Sequence, residues 1–402
     1  MATAMEFKYT TLERVITAAD SVETLPRIMR EVGASRALLV ASASLASLTD
    51  DFAELRSALG DSCMGLCTAI RAHTPREDVL AVAQLAREKD ADLLIAVGGG
   101  SIIDACKAIQ LIIDQDLQSA EDLLQYAQRA DGTRGPRAAD DSLFGNAPRI
   151  RQIAIPTTLS GAEHSNNAGV LDTARSAKEG YRAPNLCPQL IIYDPALCSH
   201  TPEWLWLSTA IRSLDHAIEG YSSPQSTPYL DGNFLHAMRL FKQSLPAIHA
   251  NPDDLAARDL NQQAVWLACC GLGTVAHGAS HGIGYILGSY CGVPHGHTSC
   301  VMLPAVLAWN ASMLSERQGG IAEALGMPGS SASTAVATLI TELGLPTSLS
   351  QVGVKQAQLD AIASRAITHP VVRKNPRPLE NAAQVREILE LAWQGPAGQA
   401  SR

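Results

Sequence analysis

The chain has 402 residues, 46% hydrophobic and 18% charged, with a formal net charge of −9. That length suffices for two domains with a core each, and the acidic balance argues against nucleic-acid or anionic-membrane partners, which reward dense positive surface. The opening MATAMEFKYTTLERV mixes acids with polar residues and resembles neither a signal nor a transit peptide, and no apolar run approaches the ~20 residues that span a bilayer.

Residues 37–44 (ALLVASAS) read as a buried strand and 79–91 (VLAVAQLAREKDA) as an amphipathic helix. A strand over 92–97 runs into Gly98-Gly99-Gly100-Ser101, a helix follows over 102–113, and 151–158 and 189–195 are further strands. Such alternation of continuous apolar strands with helices predicts a parallel sheet covered on both faces. The stretch from about Gln128 to Pro148 is rich in Gly, Asp, Pro and Arg (Arg129, Arg134, Arg137, then Arg149 and Arg151) and reads as a long, solvated loop. From Thr201 a Thr-Pro-Glu start signal opens a pattern of helical periodicity that continues to Trp393, broken near 224, 271, 292–296 and 345. The expected fold is an α/β N-terminal domain over 1–200 and an all-helical C-terminal domain over 201–402. The nine cysteines show no C-x-x-C pair, as expected of reduced, mostly buried thiols in a cytoplasmic protein.

Strand, glycine turn, then helix is a phosphate-binding arrangement, because glycines admit an anion close to the backbone and the new helix presents free N–H groups. The turn is not G-x-G-x-x-G, and a tight strand-to-helix connection accounts for it equally. Asp104 is either a ribose or carboxamide partner or an ordinary first-turn acid. The loop from Pro156 to Glu163, with Thr157, Thr158 and Ser160, leaves the same sheet edge and suits a diphosphate or nicotinamide. In the helical half, His216, His281 and His295 suggest a metal site or a proton relay. One turn before His216, on the same helix face, stands Arg212, a cation where a metal wants a carboxylate.

Taken together, VGGGSIIDACKA, IPTTLSGAE, the ordered series DHAIEGY, HGIGYILG and PHG, and the late NPRPL resemble the iron-containing alcohol dehydrogenase family over about Arg14 to Trp393. The short TTLSGAE loop is similar to the maleylacetate reductase branch. The resemblance implies a dehydroquinate synthase-like fold whose first domain binds a dinucleotide, and hydride transfer between a nicotinamide and a carbonyl or alcohol. It places Gly98, Gly99, Gly100 and Ser101 at the pyrophosphate, Asp104 near the nicotinamide, Thr157, Thr158 and Ser160 along the dinucleotide, and Lys178 at a ribose. Ala41-Ser42 stand where many relatives carry an aspartate, which leaves NAD and NADP both open. Relatives also imply a small-molecule substrate and a homodimer.

In the metal-dependent branch an aspartate and three histidines hold a divalent ion. His216, His281 and His295 match the histidines, but the aspartate position is Arg212, which repels a cation. Asp215 diverges from His216 by ~100° around the helix and is a poor substitute. Three imidazoles hold zinc unaided elsewhere, so iron or zinc stays open beside a metal-free site. Tyr285 stands where many relatives have another histidine. It is either a proton donor whose pKa a nearby cation lowers, or a packed aromatic. His277 is expected to share the helix face of His281, and His297 lies beside the group; His73, His236, His249 and His369 are expected to carry no chemistry. Arginine pairs with carboxylates through two parallel hydrogen bonds, so Arg212 is expected to meet a carboxylated substrate. Alternatives are a metal-dependent alcohol or polyol dehydrogenase on uncharged substrates, and a non-redox lyase or cyclase of the dehydroquinate synthase type.

Overall fold

The computed structural model describes residue 7 and residues 9–129, 132–138, 148–175 and 177–399. Regular structure begins with β1 (Arg14–Ile16) and α1 (Ser21–Val32), the latter capped by the Asp20 carboxylate and ended by Gly33 at φ 72°. There follow β2 (Ala37–Ala41), α2 (Ala43–Ala46), α3 (Asp51–Leu59), β3 (Cys63–Cys67), α4 (Arg76–Glu88), β4 (Leu93–Gly98), α5 (Gly100–Asp114) and α6 (Ala120–Leu124). Next come β5 (Ala127–Gln128), β6 (Arg151–Pro156), β7 (Asn167–Asp172), β8 (Ala177–Arg182) and β9 (Leu190–Ile192).

Six strands form a wholly parallel sheet in the order β1-β9-β6-β4-β2-β3. Because side chains alternate along a strand, Leu38, Val40, Leu94 and Ala96 pack beneath α4 and α5, while Leu39, Ala41, Ile95 and Val97 pack against α1 and α3. Burial on both faces is what makes these strands read as continuous apolar runs. The strand expected over 37–44 stops at Ala41, because the Ser42 hydroxyl accepts from the Leu45 amide and starts α2.

A three-stranded sheet in the order β5-β8-β7 was not foreseen. It corrects the reading of the stretch after Gln128 as exposed loop. Gln128 pairs with Gly180, Arg134 bridges back to Gln128, and Ala138 is buried. The rest of that loop, at 130–131 and 139–147, lies outside the described residues, as do most of the first eight.

Beyond Ile192 the described residues hold no strand. The helices are α7 (Glu203–Ser222), α8 (Pro228–Ala250), α9 (Leu255–Ala268), α10 (Ala279–Cys291), α11 (His295–Asn310), α12 (Ser315–Ala324), α13 (Ala332–Glu342), α14 (Leu359–Ala366) and α15 (Ala382–Gln399), the last kinked at Gly395. Thr201 does not cap α7. The helix starts at Glu203, and the Thr201 hydroxyl donates instead to the Thr157 carbonyl at 2.6 Å. Helix α7 is buried without a break from Trp206 to Gly220. A Cβ on Gly296 would lie 2.7 Å from the Ser208 backbone, so only glycine allows α11 this close to α7. Polar side chains on so buried a helix must find partners inside the protein.

All nine cysteines are free. No helix among the described residues is long and apolar enough to cross a membrane.

Candidate active site

Strands β2, β4 and β6 are neighbours, and Gly98 stands opposite Pro156 in register, with the Thr157 N–H donating to the Gly98 carbonyl at 3.0 Å. The glycine turn and the TTLSGAE loop therefore leave one sheet edge side by side, where doubly wound sheets bind ligands. A Cβ on Gly99 would lie 3.0 Å from Thr158 Cγ2, and one on Gly100 would lie 3.0 Å from Ser160 Oγ. The turn is thus bare backbone, and the Gly99, Gly100 and Ser101 amides at the start of α5 have no intrahelical acceptor. This cradle fits the phosphates of a dinucleotide.

Two residues near the turn have protein partners. The Ser101 hydroxyl accepts from the His73 amide at 3.1 Å, and the Ser101 carbonyl accepts from the Thr74 hydroxyl at 2.9 Å. These bonds hold His73 and Thr74 at φ 66° and 61°. Asp104 binds Lys107 Nζ at 3.2 Å and the Gly169 amide at 3.0 Å, so its carboxylate ties β7 to α5. Buried Lys107 also donates to the carbonyls of Ala162 (2.6 Å) and Asn167 (2.9 Å), which fixes the end of the TTLSGAE loop. Lys178 is exposed on β8, its stem lying over Gly169.

At the end of that loop Glu163 is buried and accepts from the Tyr193 hydroxyl at 3.2 Å. Burial pushes its carboxyl up to about 7, against its own backbone amide, Tyr193 and Lys107. A carboxyl raised in the folded state adds stability that is complete below its unfolded pKa and is lost as pH rises through about 7. Glu163→Gln should therefore raise Tm at pH 8.5, by the equivalent of roughly 2–3 kcal/mol, and change it little at pH 4.5. A lower Tm at pH 8.5, measured by calorimetry, would count against this.

Helix α7 carries Arg212, Asp215, His216 and Glu219 toward α10 and α11. His216 Nδ1 lies 2.9 Å from His281 Nε2 and 3.1 Å from His277 Nε2, and the His277 and His281 rings stack at 4.1 Å. His216 and His281 thus come together as expected from the sequence, but the third member is His277. His295 stands apart, stacked on Tyr285 at 5.8 Å. Nor does His277 share a helix face with His281, since α10 begins only at Ala279. It arrives on the preceding turn, where the Asn375 side chain of NPRPL accepts from the Ala279 amide at 3.2 Å. His297 packs on Trp204.

Two carboxylates, neither picked out from sequence as part of the site, back the cluster. Glu219 takes the His281 Nδ1–H at 2.8 Å and the amides of Gly278 and Ser280. Asp215 takes the hydroxyls of Ser280 and Ser299, both at 2.7 Å, and lies 3.4 Å from His281 Nδ1. The spacing of Arg212, Asp215 and Glu219 along one buried helix was the available signal. Burial and Arg212 oppose a proton on His281, yet Asp215 and Glu219 outweigh them and raise its pKa. His216, His277 and His295 are held well below the usual range, by burial first and then by neighbouring cations that include Arg212 for all three.

Arg212 is itself buried. Its Nη1 donates to the Ser299 hydroxyl at 3.1 Å and lies 3.9 Å from Asp215, while the guanidinium sits 5.4 Å from the centre of the Tyr285 ring. The arginine expected to meet a substrate carboxylate is thus buried, with one donor on Ser299 and Tyr285 beside it. Tyr285 is 37% exposed and is the cluster's face to solvent. Its pKa is raised, not lowered: the protein packed around the rest of the side chain outweighs the opposing pull of Arg212.

Residues 13–195 match the iron-containing alcohol dehydrogenase family, and 206–393 match the C-terminal part of the Fe-containing alcohol dehydrogenase family. The chain belongs to the iron-containing alcohol dehydrogenase family. It is 33% identical to Dehydrogenase ALT3 of Alternaria alternata, over 90% of this chain and 99% of that one. It is 29% identical to the maleylacetate reductase of Sphingobium indicum, over 97% and 98%. The crystal structure of maleylacetate reductase from Rhizobium sp. strain MTP-10005 superposes with a TM-score of 0.80 at 26% identity, covering 98% of this chain and 99% of that one. The protein is an NAD(P)-dependent alcohol dehydrogenase or carbonyl reductase similar to the maleylacetate reductases, with the two-domain, dehydroquinate synthase-like fold.

The family's name implies iron. Arg212, His216, His281 and His295 do not make its donor set, for one position is a guanidinium and His295 is turned to Tyr285. Among the described residues two groups bring ligand atoms close enough to share an ion: His216, His277 and His281, and Asp215, Glu219 and His281. In the first, His216 Nδ1 is within hydrogen-bond distance of both other imidazoles; in the second, Asp215 already lies 3.9 Å from Arg212. The buried Arg212 guanidinium, whose charge already disfavours a proton on His216 and His277, would repel a divalent ion held beside it.

Proposed function

We propose that this protein reduces a carbonyl compound bearing a carboxylate, with Tyr285 as proton donor. The supporting observation is the set of cations around the cluster: Arg212 is buried within it, and exposed Lys178 and Lys374 act on His295 and His277. Such a field favours an anionic substrate and an oxyanion formed from it.

Gly98, Gly99, Gly100 and Ser101 would hold the pyrophosphate, with Thr157, Thr158 and Ser160 beside it. When bound, the nicotinamide supplies the hydride. Tyr285, neutral because its pKa is raised, gives its proton to the alkoxide oxygen. The positive charge of Arg212, 5.4 Å from the ring centre, stabilises the phenolate that this leaves. His295, stacked on Tyr285, and His369, 5.4 Å from the same ring, hold the phenol in place. Strand β2 ends at Ala41 and Ser42 follows, so no carboxylate opposes a 2′-phosphate, and the reading covers NAD and NADP alike.

The test compares a keto acid with its neutral ester under both cofactors, followed by nicotinamide absorbance. The keto acid should be favoured in kcat/KM at least about tenfold, less so as salt screens the cluster. Equal rates for acid and ester would overturn the assignment.

A further inference from the structure

The residues around Arg212 carry a consequence for the metal. Arg212 lies one turn before His216 on α7, at the position that the family resemblance gives to a metal-binding aspartate. Its side chain is almost wholly buried, and its partners are all internal: the Ser299 hydroxyl at 3.1 Å, Asp215 at 3.9 Å, and the ring of Tyr285, 5.4 Å to its centre. A Cβ built on Gly284 would come within 3.7 Å of Arg212 Nη1, so α10 is bare where the guanidinium passes. We propose that the Arg212 guanidinium takes over both the place and the charge of the family's divalent ion, making this a metal-independent member whose resident cation is covalently built in.

Arg212 already meets the nearest carboxylate: it lies 3.9 Å from Asp215, and the Ser299 hydroxyl joins them, accepting from Arg212 at 3.1 Å and donating to Asp215 at 2.7 Å. An ion among His216, His277 and His281 would bring two more positive charges beside that guanidinium. Arg212 also contacts the solvent-facing group directly, so its charge reaches the substrate side through Tyr285, as a Lewis acid's would. The inference rests on the assignment of this cluster as the active site, but its test reads metal content first and activity only on chelation.

Wild type and Arg212→Asp are to be produced with zinc and iron supplied and purified without chelator, and their metal counted by elemental analysis. Wild type should hold well under one atom per chain, and its activity should survive chelation. Arg212→Asp, which restores a carboxylate one turn before His216, should hold about one atom per chain. Its Tm should rise by several degrees with added zinc and fall with chelator, because a site of like charges needs the ion. Arg212→Ala removes the cation without supplying a ligand and should gain much less metal than Arg212→Asp. If Arg212→Asp does not fold, titration of wild type with cobalt decides: no visible absorption of a histidine-bound cobalt ion is expected. Near-stoichiometric metal in wild type, lost together with activity on chelation, would overturn the proposal, as would a cobalt spectrum in wild type. A metal-free wild type that prefers neutral substrates would refute the carboxylate reading and leave this one standing.

Discussion

Tyr285→Phe is expected to lower kcat by about 10²–10³-fold, the usual loss on removing a positioned proton donor or oxyanion partner. The ring is held by His295, His369 and Arg212 through stacking and cation–π contact, all of which phenylalanine keeps. What disappears is the hydroxyl alone. Cofactor affinity should therefore stay the same, and the loss should appear in kcat far more than in KM. The pH profile supplies a second reading. Burial raises the Tyr285 pKa, so the donor stays protonated through the neutral range and activity should not fall until well into alkali. Stopped-flow single turnovers with saturating reduced cofactor test both points. A Phe variant within about threefold of wild type would move the proton donor to an imidazole of the cluster.

Gly98→Ala should abolish most of the cofactor affinity. Gly98 ends β4 at φ 156°, and an added Cβ would lie 2.8 Å from Ile102 Cγ1 and 3.5 Å from the Ser42 amide. Ile102 is a buried residue of α5 packed under the sheet, so it cannot swing away as an exposed side chain would. The strain, of order 1–3 kcal/mol, must be relieved by moving the first turn of α5 or the end of β4. Either shift turns the Gly99, Gly100 and Ser101 amides out of line, and the Gly98 carbonyl loses its Thr157 partner. The dissociation constant for reduced nicotinamide dinucleotide, read by fluorescence titration, should rise about ten- to a hundredfold. An unchanged constant would show that the phosphates are not held at this turn.

Much of the fold could be read locally. The apolar runs at 37–41, 93–98, 151–156 and 190–192 form the inner strands of the parallel sheet, because burial on both faces leaves no polar alternation to confuse them. The hairpin of β7 and β8 escaped notice because its residues alternate with charge. Asp172 and Glu179 are buried through pairing that includes Arg76 from α4, at 3.0 and 2.7 Å. Thr201 looked like a helix cap because cap residues are recognised by neighbours in sequence, whereas its actual acceptor is 44 residues away.

The site divides along the same line. By itself the sequence determined the glycine turn between strand and helix, the polar loop on the neighbouring strand, and the placing of Arg212 and His216 on one helix face. All of these follow from short-range geometry: turn conformation, strand register and the 3.6-residue period. Only the tertiary structure decided that His277 and not His295 joins His216 and His281. That depends on where α10 and α11 cross α7, and on the Asn375 side chain that sets the start of α10. The tertiary structure likewise decided the work of Arg212. A guanidinium one turn from a histidine is a free clamp in the sequence; once buried, it lies by Asp215 and Tyr285 and donates to Ser299, since a charge inside the protein needs partners.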